Sequence, residues 1–265
     1  MNRMNVGPFS ELFGESKDQK GKEPGESSLL EADVDPAPLT TEFIRAELAH
    51  TDLASSYFLP LHYESRHAYP LLVWLHGGNQ DIHQLNSVVP WISEQNYIGL
   101  SLGSPNRLSE TAASVWRQSC ESIEQTSNII TAAIDRALQR FSIHPDRVFI
   151  AGHDIGGTMA FRVAFQSPER FAGVASFNGS LPSNLTPLLN WRMCRHLPLF
   201  WAHGRHSTEF PETNLCYQLK LLYTAGFDVN LRQYPCHDTV CEQAYRDSNT
   251  WIMEQIAKSN PSIIK

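Results

Sequence analysis

The run FIAGHDIGGTMAF, Phe149 to Phe161, sets a carboxylate between two glycines that separate an apolar stretch from an amphipathic one. The pattern predicts a buried strand, a tight Gly-x-Asp-x-Gly bend and a helix. Gly152 and Gly156 allow the bend, and Gly157 lets the helix close on the strand. Asp154 is thereby pushed out above the strand end in a strained backbone conformation. The N–H of Ile155 opens the helix and suits the position where a reacting carbonyl would gather negative charge. A side chain presented in this way is a candidate nucleophile, but here it is an acid and not an alcohol.

Other loops should meet this bend. WLHGGNQD, Trp74 to Asp81, reads as a strand running into a Gly-rich turn; it is either a plain strand-to-loop connection or, as its resemblance to the oxyanion-hole loop of esterases implies, a place where the N–H of Gly78 is a second donor to an oxyanion. WAHGRHSTEFP (Trp201–Pro211) and QYPCHDTV (Gln233–Val240) also follow strands. The second places His237 at the start of the last helix, where a histidine behind the bend in chain order suits a general base. The first carries His206, Ser207 and Glu209. Cys236 beside His237 offers a thiol, although neighbours in sequence are rarely partners in catalysis. His206, His237 and Asp154, with His153, also offer nitrogen and oxygen ligands for a metal. His203-x-x-His206 lies on a turn, so its two imidazoles need not converge.

The elements that must hold these loops alternate. TEFIRAELAH and SSYFLPLHYE read as two antiparallel strands joined near Thr51 and Asp52. YPLLVWLH and YIGLSLG are short continuous apolar runs of the kind covered on both faces, and DRVFIAG, FAGVASFNG, LPLFWAHG and DVNLRQYP also read as strands. Ser114 to Arg140, Thr158 to Gln166, ETNLCYQLKLLYTAG and VCEQAYRDSNTWIMEQIA carry helical spacing. This order implies an α/β domain with a mostly parallel central sheet flanked by helices on both faces, and active sites in such sheets form beyond the carboxyl ends of the strands. Residues 1–39 are polar, rich in Gly, Ser, Glu, Lys and Pro, and without periodicity; they read as a flexible arm before a domain over 40–265.

With 42% hydrophobic and 18% charged residues, the 265-residue chain has the composition of a soluble globular protein. A net charge of −7 without a lysine or arginine block argues against nucleic acid as a partner. The N-terminus lacks the apolar core of a signal peptide, and no run is long enough to span a membrane. Five cysteines without CxxC spacing imply reduced thiols and a cytoplasmic protein.

From about Thr41 onward the chain resembles the α/β-hydrolases of the phospholipase/carboxylesterase (acyl-protein thioesterase-like) family. The resemblance rests on His76-Gly77, Gly152 to Gly156, His203-Gly204 with Phe210-Pro211, and Tyr234 with His237, in order and spacing. It implies an α/β-hydrolase fold without a large cap, no cofactor, and an ester or acyl compound as substrate or ligand. It also implies a serine at the bend and an acid in His-Gly-x-x-Asp. Here those positions hold Asp154 and Ser207.

Exchanged roles, with Ser207 attacking and Asp154 orienting His237, fail because the donors near Gly78 and Ile155 surround the wrong residue. Losing one such donor costs about 10²–10³ in rate. Asp154 attacking an ester would bring its own charge against the developing oxyanion. The GHDIGG run also resembles the GHDWGG bend of haloalkane dehalogenases, where a carboxylate attacks an alkyl carbon. Against that, Ile155 replaces the tryptophan that would hold the leaving halide, and the stretch from Gly179 to Leu197 is short for a cap. The acid for His237 is also missing unless Glu209 supplies it. The resulting expectation is a hydrolase relative with an altered Asp154–His237–Ser207 set, little serine-type esterase activity, and a pocket that binds an acyl or carbonyl ligand. The alternative is an active hydrolase using Asp154 as nucleophile, or a rearranged site, on an unusual substrate.

Overall fold

The computed structural model describes residues 44–47, 54–105, 116–182 and 191–259. The expected arm over residues 1–39 lies outside them.

Eight strands make one sheet: β1 (Ile44–Glu47), β2 (Ala54–Phe58), β3 (Tyr69–Leu75), β4 (Ile98–Leu102), β5 (Ile143–His153), β6 (Gly173–Phe177), β7 (Leu199–Gly204) and β8 (Val229–Tyr234). Their order is β1-β2-β4-β3-β5-β6-β7-β8. β1 and β2 pair antiparallel, β2 runs antiparallel to β4, and every pairing from β4 to β8 is parallel. The six strands read from Tyr69 onward thus form the parallel body of the sheet, fully buried in β3 and β4 and only partly buried in the edge strand β8.

Alternation along β3 divides the core. Leu71, Val73 and Leu75 join one buried cluster with residues of α2 (Cys120–Arg140), α3 (Ile155–Gln166) and α5 (Glu212–Ala225). Leu72 and Trp74 point the other way, into a cluster with α1 (Gln84–Ile92) and α6 (Glu242–Ser259). Helices therefore cover both faces, which is the α/β-hydrolase architecture, and no large cap stands among the described residues. A short helix, α4 (Trp191–Cys194), leads into β7.

The start of one helix and the presence of another differ most from the sequence reading. The helix expected from Ser114 begins at Cys120, because the Ser119 hydroxyl accepts the Ser122 N–H and caps it there. Helix α1 was not anticipated; its buried Leu85, Val88, Val89 and Ile92 do have helical spacing, but Pro90 in its last turn obscures the pattern.

Candidate active site

Asp154 caps α3 with φ 50° and ψ −123°, a backbone conformation that non-glycine residues seldom hold without cause. The bend exists because its glycines have no side chains. A Cβ on Gly156 would lie 2.3 Å from the carbonyl oxygens of both Leu75 and His76, and one on Gly152 would lie 2.5 Å from the Gly156 backbone. The Asp154 N–H donates to the Phe177 carbonyl at 2.8 Å, and its carbonyl accepts the Thr158 N–H at 3.1 Å. These bonds fix the turn between β5 and α3 and set the carboxylate beyond the strand end.

The carboxylate then meets the Gly-rich loop after β3. Asp154 Oδ2 accepts the Gly78 N–H at 3.3 Å. The neighbouring Gly77 N–H is already held at 3.0 Å by Gln84 Oε1, which also accepts the Trp74 indole N–H at 3.0 Å. Gly78 thus touches the Asp154 carboxylate through its N–H, and Ile155 follows Asp154 as the first residue of α3. Beneath the loop, His76 is fully buried beside Trp116, whose indole donates to the His76 carbonyl at 2.8 Å. Burial pushes the His76 pKa down. Trp116 belongs to the core under the loop.

His237 stands in the loop after β8, five residues before α6 begins at Glu242, and not at the helix start expected. The reason is that this loop is tied down first. Asn178, buried and at φ 56°, donates its amide to the carbonyls of His237 (3.2 Å) and Asp238 (2.8 Å) and accepts the Gly204 N–H at 2.7 Å. The His206 N–H donates to the Cys236 carbonyl at 3.0 Å. The His237 side chain is exposed, with its ring centroid 5.5 Å from that of His206. Among the described residues no hydrogen bond or ion pair joins His237 to Asp154, Ser207 or Glu209. The expected Asp154–His237–Ser207 chain of hydrogen bonds is not assembled.

Ser207 has another partner, which sequence reasoning missed. Its buried hydroxyl donates to Asp238 Oδ1 at 2.6 Å and accepts the Phe210 N–H at 3.0 Å. Asp238 also accepts the Thr208 N–H at 3.0 Å, the Thr208 hydroxyl at 3.0 Å and the Glu209 N–H at 3.2 Å. These bonds, the Ser207 hydroxyl first, hold the Asp238 carboxyl below the usual carboxylate range. An acid thus occupies the turn at Ser207 after all, delivered from the neighbouring loop. The signal was an Asp directly after the candidate base in Cys-His-Asp-Thr.

The remaining candidates are structural neighbours of this constellation. His153 is pushed to lower pKa by burial, against the opposing pull of the Asp238 carbonyl and nearby acids, and its Nε2–H donates to that carbonyl at 3.2 Å. Burial raises the Cys236 thiol, which touches the Cys241 side chain, so it is a poor source of thiolate. Among the described residues no group of three or more His, Cys, Asp or Glu side chains is placed to hold a metal ion. Beside the bend lies a cavity of about 260 Å³ whose lining includes Gln118, Asp154, Thr158, Arg162, Ser180 and Glu209.

The phospholipase/carboxylesterase family model matches residues 107–256, more than half of the chain and the part that carries β5 to β8 with their loops. The chain belongs to the phospholipase/carboxylesterase family. A curated relative from Nocardia uniformis subsp. tsuyamanensis, named "Putative esterase NocK", is 44% identical over 52 residues, which are 20% of this chain and 15% of that protein. The chain thus matches only a small part of that relative's length. Among solved structures, a carboxylesterase from Mesorhizobium loti superposes with a TM-score of 0.65 at 15% identity, covering 79% of this chain and 98% of that one. The Bacillus cereus carboxylesterase gives 0.62 at 14% identity over 77% and 94%. SOBER1 from Arabidopsis thaliana gives 0.57 at 16% over 71% and 100%. At these identities the likeness establishes the fold. No helix among the described residues is long and apolar enough to cross a membrane.

Proposed function

We propose that this member of the family has lost serine-type ester hydrolysis and uses the pocket at its bend to bind a small ligand. The observation that carries the reading is the Asp154 carboxylate, seated against the Gly78 N–H and at the positive end of α3. An acid there occupies one oxyanion donor in the resting protein. A tetrahedral intermediate would have to displace it and then carry its own negative charge beside it. The position of Ser207 supports the same reading, because its hydroxyl is buried and committed to Asp238. Among the described residues His237, the candidate base, is exposed and hydrogen-bonded to neither Asp154 nor Ser207.

Turnover of short-chain p-nitrophenyl esters tests this directly. The protein is expected to hydrolyse them no faster than buffer, and turnover abolished by Asp154→Ala would overturn the reading. Restoring family chemistry now needs three changes. Asp154→Ser with Ser207→Asp alone would set two carboxylates within hydrogen-bonding distance of each other, because Asp238 already lies 2.6 Å from the Ser207 hydroxyl. Adding Asp238→Ser exchanges that donor–acceptor pair and removes the repulsion.

One observation favours a second reading, in which Asp154 itself attacks: the bend presents its carboxylate to the cavity beside Ile155. Halide release from short haloalkanes, lost in Asp154→Asn, is the result that would establish it.

A further inference from the structure

The cavity beside the bend carries charge of both signs at separate places. Asp154, Thr158 and Arg162 all line it, and their spacing of four residues puts them on one stripe of α3. Asp154 and Arg162 are thus separated by about 12 Å of helix axis at 1.5 Å per residue. Helical side chains lean toward the N-terminus, so the long Arg162 chain shortens that gap. Arg162 is 6% exposed and lines the cavity, and its Nε donates to Gln118 Oε1 at 2.6 Å. Glu209 joins Asp154 in the lining, so among the described residues that line it two acids accompany one arginine. Between the charged ends, the Thr158 and Ser180 hydroxyls lie 3.4 Å apart.

We propose that this cavity is a binding site for a small zwitterion, an ω-amino acid whose carboxylate meets Arg162 and whose ammonium meets Asp154. This rests on the reading that Asp154 is a ligand-binding group and not a nucleophile. The exchange of a serine for an aspartate then has a positive consequence. The same carboxylate that opposes an oxyanion attracts an ammonium, and the opposite end supplies the fork that matches a carboxylate. At about 260 Å³ the cavity falls below the range of roughly 300–1,000 Å³ that holds drug-sized ligands. That size fits a short-chain compound and excludes a long acyl chain lying wholly inside. The spacing of the charges selects chain length, with one member of an ω-amino acid series bridging the two ends best.

Calorimetric titration of the full chain with glycine, 3-aminopropanoate, 4-aminobutanoate, 5-aminopentanoate and 6-aminohexanoate tests the proposal. One chain length should bind tightest, and its N-acetyl and carboxamide forms should each bind at least about tenfold more weakly, the effect of losing one charged contact. Arg162→Gln should remove the preference for the free carboxylate, and Asp154→Asn the preference for the free amine. Should Arg162→Gln fail to fold, the capped compounds give the same answer on the unaltered protein. Equal affinity for capped and free forms would overturn the proposal, as would equal affinity for a simple carboxylate such as propanoate, or no heat with any member. Ester turnover is measured separately: vigorous hydrolysis would refute the loss of esterase chemistry, whereas titration reads the two-ended recognition alone.

Discussion

Replacing Asp238 by alanine should loosen the turn at Ser207 by an amount that the local bonds allow us to work out. Asp238 accepts four hydrogen bonds, from the Ser207 hydroxyl, the Thr208 N–H and hydroxyl, and the Glu209 N–H. Thr208 and Glu209 are exposed, so water replaces the carboxylate for them at little cost, a few tenths of a kcal/mol each. Ser207 is different, being 8% exposed, so its hydroxyl loses its acceptor in a buried place, a loss of roughly 1–3 kcal/mol. The sum is about 2 kcal/mol, or a fall in melting temperature of roughly 4–8 °C for a domain of this size. Thermal melts followed by circular dichroism read this directly. Ser207→Ala should lose at least as much, because it also leaves the buried Phe210 N–H without its acceptor, and adding Asp238→Ala to it should cost little more, because the two share one interaction. The effect also has a pH signature. The Asp238 carboxyl is held below its ordinary value, so its contribution is present above about pH 4 and is lost as pH falls through the lowered folded value. The alanine variant should therefore approach the parent protein in strongly acidic buffer. A melting temperature within 1 °C of the parent at neutral pH would refute the idea that Asp238 fastens this turn.

Asn178→Ala should lower stability by about 2 kcal/mol, since it leaves the buried Gly204 N–H without its acceptor and releases the carbonyls of His237 and Asp238; hydrogen exchange should show faster opening of residues 235–241. His76 and His153 both have pKa values lowered by burial, so stability should be full above about pH 6.5 and decline as pH falls below it. Melts at pH 7.5 and 5.5 test this, and His153→Gln should reduce the difference. The Arg170–Asp135 ion pair lies at the surface with its side chains 34% and 50% exposed, so Asp135→Asn should change stability by less than about 0.5 kcal/mol in a denaturant titration.

The sheet was legible in the sequence because parallel strands covered on both faces leave a clear trace, as in YPLLVWLH and LPLFWAHG. The bend was legible for a similar reason: Gly152 and Gly156 sit where any Cβ would strike backbone, so their identity encodes the geometry. Partnership between loops was harder to read. Ser207 and Asp238 meet across 31 positions of sequence, through bonds that neither loop announces on its own. Asn178 was read as the end of a strand, yet its side chain ties β6 to the loops after β7 and β8. Adjacent hydrogen-bonding residues can be inferred from spacing, but a bond between two irregular segments depends on how each lies over the sheet.

Gly78, Asp154, Asn178, Ser207 and His237 follow five successive strands of the sheet, β3, β5, β6, β7 and β8. With neighbouring strands about 4.8 Å apart, the bends after β5 and β8 start on the order of 14 Å from one another. Any reaction needing both residues must therefore be brought about by the reach of the connecting segments, while the strands beneath stay put. The scaffold and its chemistry can vary independently. A library confined to residues 205–211 and 235–241 could search for new reactivity while leaving the paired strands beneath unchanged.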